Sequence, residues 1–255
     1  MLRGIPALAV PLLVSLALST AAFAQGASPQ PASTPDLSGV WARIVDPASR
    51  PFYLYAFEAA EPPMTPWGEA RYKEARPSHG ARAVALEASN DPVFNGCHPP
   101  GVPRAYLHPF PVQIVNVAGR GVLILYEYDH LVRHVYTDGR GHETATGPTW
   151  MGDSIGRWEG DTLVVDTVGF NDRTWIDRRG LPHSEDLHVV ERFRRVDRNT
   201  LQIDVTVEDP QAYIRPWSVQ LRYTLRPPAW RILELVCEDD ASFVPLEKLT
   251  AQPAN

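Results

Sequence analysis

Leu201, Ile203, Val205 and Val207 alternate with Gln202, Asp204 and Thr206, the two-residue period of a strand with one buried face. Comparable short apolar runs recur at residues 112–117, 121–129, 131–137, 156–159, 162–168, 187–196, 219–225 and 230–238, and one stands far upstream at 37–44. Turn residues separate them: Ala118-Gly119-Arg120, Asp138-Gly139, Gly160-Asp161, 197–199 and Pro227-Pro228. Thr65-Pro66 reads as a helix N-cap and first residue, predicting a short helix over 67–76 that Pro77 stops. A turn or two of helix fits 81–88. The rest of 77–111 is loop, broken by Pro92, Pro99, Pro100, Pro103 and Pro109.

About ten strands in meander order, with no βαβ rhythm, predict an all-β protein. The expected fold is an antiparallel up-and-down barrel with a short N-terminal helix and long Pro-rich loops, because closure removes sheet edges. A β-sandwich or an open curved sheet is the alternative.

The N-terminal pattern differs. Arg3, an apolar stretch over 5–18 and Ala22-Phe23-Ala24 have the layout of a cleaved signal peptide, so residues 1–24 are expected to be removed on export. An Ala/Ser/Pro-rich flexible leader, 25–35, follows; a single barrel-like domain spans 36–245, and 246–255 form a C-terminal tail. The apolar core is too short for a spanning helix, and no Cys follows the cut, so a periplasmic or secreted product without a membrane anchor is expected. Removal of Arg3 takes the formal charge from −6 to −7, which argues against a nucleic-acid partner. In an oxidising compartment the two cysteines, Cys97 and Cys237, allow one intramolecular disulfide, with two buried free thiols as the alternative.

Gly39-x-Trp41 at the head of a meander resembles the lipocalin-like (calycin) barrels. That resemblance implies that the Trp closes one barrel end under a late Arg, for which Arg226 and Arg231 are the candidates. The chain is also similar to a family of exported bacterial proteins without an assigned activity. The matching motifs are Cys97-x-Pro99-Pro100-Gly101, Asp138-Gly139-Arg140-x-His142, the stretch 150–161 from Trp150 to Asp161, and His183-Ser184-Glu185 with 187–192.

Three constellations carry candidate chemistry. Strand alternation places Tyr126, Tyr128 and His130 on one face, and a turn at 129–131 returns His134 and Tyr136 beside them. Tyr128 and His130 then form a proton-transfer pair, because imidazole titrates near neutral pH. Glu191 shares its strand face with Leu187, Val189 and Phe193, so it is either salt-bridged or an acid/base group; His188 is on the other face. Gly152-Asp153-Ser154-Ile155-Gly156 fits G-x-S-x-G but lacks the strand–turn–helix context of a nucleophile elbow. Trp150 and Asp153 are instead expected to line a barrel mouth.

The catalytic candidates are thus Tyr128, His130, His134 and Glu191, with Tyr126, Tyr136, Trp150, Asp153 and His188 contacting ligand. No metal-ligand motif occurs, and neither metal nor cofactor is expected. The expected function is an exported small-molecule enzyme of lyase, hydratase or isomerase type, using Tyr/His/carboxylate acid–base chemistry in a barrel pocket. A non-catalytic binding protein for a small, partly apolar ligand and an envelope interaction protein are the alternatives. The pattern is silent on oligomeric state.

Overall fold

The structure, a computed structural model, describes Met1 and residues 35–44, 56–57, 60–143 and 145–237. The expected signal peptide, nearly all of the leader and the C-terminal tail lie outside the described residues. Apart from Met1, the described residues belong to one compact unit, Thr34–Asn255.

Nine strands close into a barrel in sequence order. They are β1 (Gly39–Arg43), β2 (Val112–Val117), β3 (Gly121–Tyr126), β4 (Val132–Tyr136), β5 (Asp153–Glu159), β6 (Thr162–Val168), β7 (His188–Asp197), β8 (Thr200–Glu208) and β9 (Trp217–Leu225). Trp41 pairs with Leu225, so β1 and β9 complete the ring and the expected all-β barrel is present. Strands that alternate in direction cannot close an odd-numbered ring without one parallel neighbour. That neighbour is β4–β5, paired at Val135–Ser154 and Tyr136–Ile155. Every other adjacent pair is antiparallel.

The parallel pair overturns one turn assignment. Asp138-Gly139 predicts a hairpin, but β5 runs parallel to β4 instead, with Ser154 beside Val135 and Ile155 beside Tyr136. A tenth strand over 230–238 is also absent: with β1 on β9 no edge is free, and among the described residues of that run only Leu235 makes a bridge, to Tyr128. The predicted helix forms as α1 (Pro66–Glu74), with the Thr65 hydroxyl accepting from the Gly68 amide at 3.1 Å. A second short helix, α2 (Pro92–Gly96), is capped by Asp91 through the Val93 amide. Residues 86–88 and 104–107 form single 3-10 turns.

The β2–β3, β5–β6 and β7–β8 turns mark one end of the barrel. The opposite end carries the β3–β4 turn, the 169–187 loop and residues 60–111, which together plug it. Cys97 and Cys237 are joined as a disulfide across 140 residues, tying the plug to the C-terminal run. Trp41 is fully buried, donates from Nε1 to the Leu37 carbonyl at 2.9 Å and fills the barrel near its turn end. The cation over its ring is Arg195, at 5.2 Å, contributed by β7. Arg226 follows the end of β9 and packs on Trp230 instead, and Arg231 is exposed.

On the side formed by β6, β7 and β8 the barrel interior is a packed core. A ligand-sized cavity would give accessible surface to the side chains around it, yet Val165, Val189, Leu201, Ile203, Val205 and Val207 show essentially none. No ligand-sized cavity therefore adjoins these residues; the open space at the turn end, about 640 Å³, is lined by Asn116, Val122 and Trp158.

Candidate functional site

Within that core, one polar network interrupts the apolar packing at the plugged end. Arg133 on β4 directs Nε to the Ser154 hydroxyl at 2.9 Å, Nη2 to the Thr167 hydroxyl at 2.8 Å, and Nη1 to Glu191 Oε1 at 2.9 Å. Its Nη2 also pairs with Glu191 Oε2, and the Tyr106 hydroxyl, reaching in from the plug, donates to Glu191 Oε1. Arg133 is 2 % exposed and Glu191 is not exposed at all. Burial opposes the Arg133 charge, but the carboxylate more than offsets it and holds the guanidinium well above its ordinary pKa. Burial, then Glu191, likewise push the Tyr106 phenol well up. Tyr126 packs beside Tyr106 at 6.3 Å between ring centroids. Glu191 is therefore the partner of a buried cation with no cleft to act on, rather than an acid/base group. Ser154, the serine of the G-x-S-x-G match, is a buried member of the same network and not an exposed nucleophile.

The proposed Tyr128–His130 pair is not assembled. Strand β3 ends at Tyr126, and Asp129 and His130 both adopt left-handed backbone in the β3–β4 turn, which aims His130 into solvent. Tyr128 turns into the plug and stacks on His108 at 3.9 Å. His134 is exposed on the outer face of β4 and stacks on Tyr136, over which Arg140 lies at 4.0 Å. Strand alternation fails here because the chain leaves the strand at Tyr126, three residues before the end of the 121–129 run. Trp150 packs against His98, centroids 4.8 Å apart, with Arg173 at 5.9 Å.

Asp153 and His188 join an outer-face chain of alternating carboxylates and imidazoles. His142, carried by the 137–152 crossover, bridges Asp153 at 2.8 Å and Asp166 at 3.0 Å; His188 bridges Asp166 at 3.1 Å and Glu208 at 3.6 Å. No group of three or more such residues among those described has the geometry to hold a metal ion. Burial alone would lower the His142 pKa, but hydrogen bonds to Asp153 and Asp166 outweigh it and raise it. Burial would raise Asp166, yet its two imidazole partners hold it down. A raised histidine stabilises the fold fully below its unfolded value and loses that contribution as pH climbs through the folded value. A depressed aspartate does the reverse, losing its contribution as pH falls. The crossover is thus held best at mildly acidic pH. Amide exchange of residues 137–143 and 145–152 should quicken relative to the intrinsic rate as pH rises from mildly acidic through neutral, and His142→Gln should remove that dependence. The effect is at most about 1 kcal/mol, because the groups are partly exposed. Relative protection that is flat with pH in the wild type would contradict the assignment.

Outside the barrel, the plug forms a polar cleft of about 260 Å³. Helix α1 contributes Trp67, Arg71 and Glu74; the 169–187 loop contributes Asp172, Arg173, Thr174, Trp175 and His183. The loop is rigidly built. Asn171 accepts from the Arg173 amide, and Asp177 accepts from the Arg179 and Leu181 amides and pairs with Arg179 at 2.8 Å. Asp209, buried at the end of β8, accepts from both the amide and the hydroxyl of Ser184, fixing the residue next to His183.

The Thr174 hydroxyl and His183 Nε2 are 3.0 Å apart in the cleft wall, and His183 Nδ1 meets the Ser184 carbonyl at 3.1 Å. Burial holds the imidazole below its ordinary value, so it is neutral at pH 7. A carbonyl only accepts, so Nδ1 carries the proton and Nε2 presents its lone pair to the Thr174 hydroxyl. A hydroxyl hydrogen-bonded to an oriented, neutral imidazole is poised for proton transfer.

No protein-family model, no curated protein and no solved structure matches the chain.

What the fold shows is a closed nine-strand barrel. Sequence reasoning named His183 only within a motif and did not single out Thr174. The signal available was His183-Ser184-Glu185 closing a loop with Trp175, Asp172 and Asp177, but the hydroxyl that meets the imidazole is nine residues upstream.

Proposed function

We propose that this protein is an exported acid–base enzyme acting on a small polar molecule in the cleft over the plugged barrel end. His183 is the base and Thr174 the hydroxyl through which it reaches substrate. The observation that carries the reading is the 3.0 Å Thr174–His183 contact with its tautomer set by the Ser184 carbonyl. Trp67 and Trp175 offer flat apolar surfaces, while Asp172, Arg173, Glu74 and Arg71 offer polar contacts of both signs. The chemistry remains of lyase, hydratase or isomerase type, relocated from the barrel to the plug. The disulfide fits an oxidising compartment. N-terminal sequencing of the protein recovered from the periplasm or medium should begin at Gln25; recovery with residues 1–24 intact, in the cytoplasm, would contradict export.

The second reading, a binding protein using the same cleft, is favoured by the burial of Thr174 and His183, each only 5 % exposed. A thermal-shift screen of small polar metabolites followed by mass spectrometry of the hits separates the two. For the enzyme, wild-type protein converts a stabilising compound, whereas Thr174→Val and His183→Gln still bind it but lose about 10²- to 10⁴-fold in turnover. Binding without conversion supports the second reading. Conversion undiminished in both variants removes the Thr174–His183 assignment.

A further inference from the structure

Charge in the cleft over the plug is balanced within itself. Arg71 and Glu74, three residues apart on α1, meet at 3.6 Å, and Asp172 and Arg173 are exposed neighbours in the 169–187 loop. His183 adds no charge, because burial keeps it neutral. Two cations thus answer two anions, and a ligand carrying net charge of either sign gains no net attraction. What these side chains offer instead is hydrogen bonding of both kinds. The guanidinium groups only donate, the carboxylates only accept, and the Thr174 hydroxyl does both. Asn90, also in the wall, is already committed: its Nδ2 donates to the Glu74 carbonyl at 3.3 Å and its Oδ1 accepts from the Arg76 amide at 2.6 Å.

Two indoles complete the wall. Trp67 and Trp175 come from different elements, and each is held beside a guanidinium: Arg71 is 5.4 Å from the Trp67 ring, and buried Arg104 is 5.7 Å from that of Trp175. An aromatic face is apolar and electron-rich, so it packs well on a surface of C–H bonds. A sugar ring has such a surface on its faces and hydroxyls around its rim, each both donor and acceptor, and it carries no charge. A small inorganic anion lacks the C–H face, and an aliphatic acid or amine lacks the rim of hydroxyls. The cleft, about 260 Å³, falls below the about 300–1,000 Å³ typical of drug-sized pockets and suits one ring rather than an extended chain. We propose that the cleft takes carbohydrate: one uncharged sugar ring with Trp175 and Trp67 as its apolar surfaces, its hydroxyls shared among Arg71, Glu74, Asp172 and Arg173. Thr174 precedes Trp175 in the chain and both line the cleft, so the ring lies beside the Thr174–His183 pair. The assignment names the substrate class of the cleft and rests on its reading as the active site.

The test titrates the intact, oxidised protein with glucose, galactose, mannose, xylose and N-acetylglucosamine, followed by tryptophan fluorescence and saturation-transfer NMR. Glucuronate, glucosamine and serine serve as anionic, cationic and zwitterionic counterparts. Support is saturable one-site uptake of at least one neutral sugar with a dissociation constant below about 10 mM, at least as tight as that of any counterpart. Asp172→Ala, at an exposed position, and Trp67→Ala, at a half-buried one, leave the Thr174–His183 pair in place. Each should weaken uptake about tenfold. Saturable uptake of no sugar overturns the proposal, as does a counterpart bound more tightly than every neutral sugar. Sugar binding that both variants leave unchanged also overturns it, since the sugar then lies elsewhere. The two readings of the cleft fail separately. Sugar bound but not converted leaves the carbohydrate assignment standing and removes the enzyme. Conversion of another compound that depends on Thr174 and His183, with no sugar bound, does the opposite.

Discussion

Arg133→Ala should lower the unfolding free energy by about 3–5 kcal/mol, a large fraction of the about 5–15 kcal/mol available to a typical domain. The reason is asymmetry. Two buried charges that complete each other's hydrogen bonds are tolerated, whereas one left alone keeps the full cost of leaving water. In the variant Glu191 retains only the Tyr106 hydroxyl, and the Ser154 and Thr167 hydroxyls lose their shared donor. The paired change Arg133→Met with Glu191→Leu should recover most of the loss, because apolar groups of similar size need no partners. Urea unfolding followed by tryptophan fluorescence measures both. A single variant within about 1 kcal/mol of wild type would mean that the network is not the structural element its geometry indicates.

The second large effect is expected at the disulfide. Linking positions 140 residues apart removes about 5 kcal/mol of loop-closure freedom from the unfolded chain on a chain-entropy argument. Cys97→Ser with Cys237→Ser should therefore lower the urea midpoint strongly. The loss should concentrate in the plug, where Cys237 Sγ contacts the Val93 carbonyl at 3.8 Å and its amide reaches Asp129. Limited proteolysis should cut first within residues 91–108. A double variant that keeps both its midpoint and its resistance in that segment would show that the plug is held by packing alone.

Most strands were readable because their apolar period is strict. Leu201 to Val207 alternate, and all four apolar members are buried. Chain order and short turns then gave the ring. The site was not readable in the same way. Face assignment extrapolates a strand, and at Asp129–His130 two left-handed residues end the extrapolation, sending Tyr128 into the plug and His130 into water. Glu191 stands out in the sequence as a carboxylate among apolar neighbours, but its partner Arg133 lies 58 residues away on a strand that no local pattern links to it. Thr174 and His183 meet only because Asp177 and Asp209 shape the loop between β6 and β7, through backbone amides that leave no periodic trace. The disulfide was legible from arithmetic, since two cysteines allow one pairing.

The odd strand number has a mechanical consequence. Of all the ladders in the ring, β4–β5 is the shortest, two residue pairs long, so the cylinder has a seam. Side chains close what the backbone leaves open. From within, Arg133 reaches from β4 across to Ser154 on β5, Thr167 on β6 and Glu191 on β7. From outside, His142 fastens the crossover to Asp153 and Asp166, on β5 and β6. Breathing of this barrel should therefore begin along one line rather than at its ends. Loosening either fastening should let amide protons between β4 and β5 exchange long before those of β7 and β8, whose ladder is the most extended in the fold.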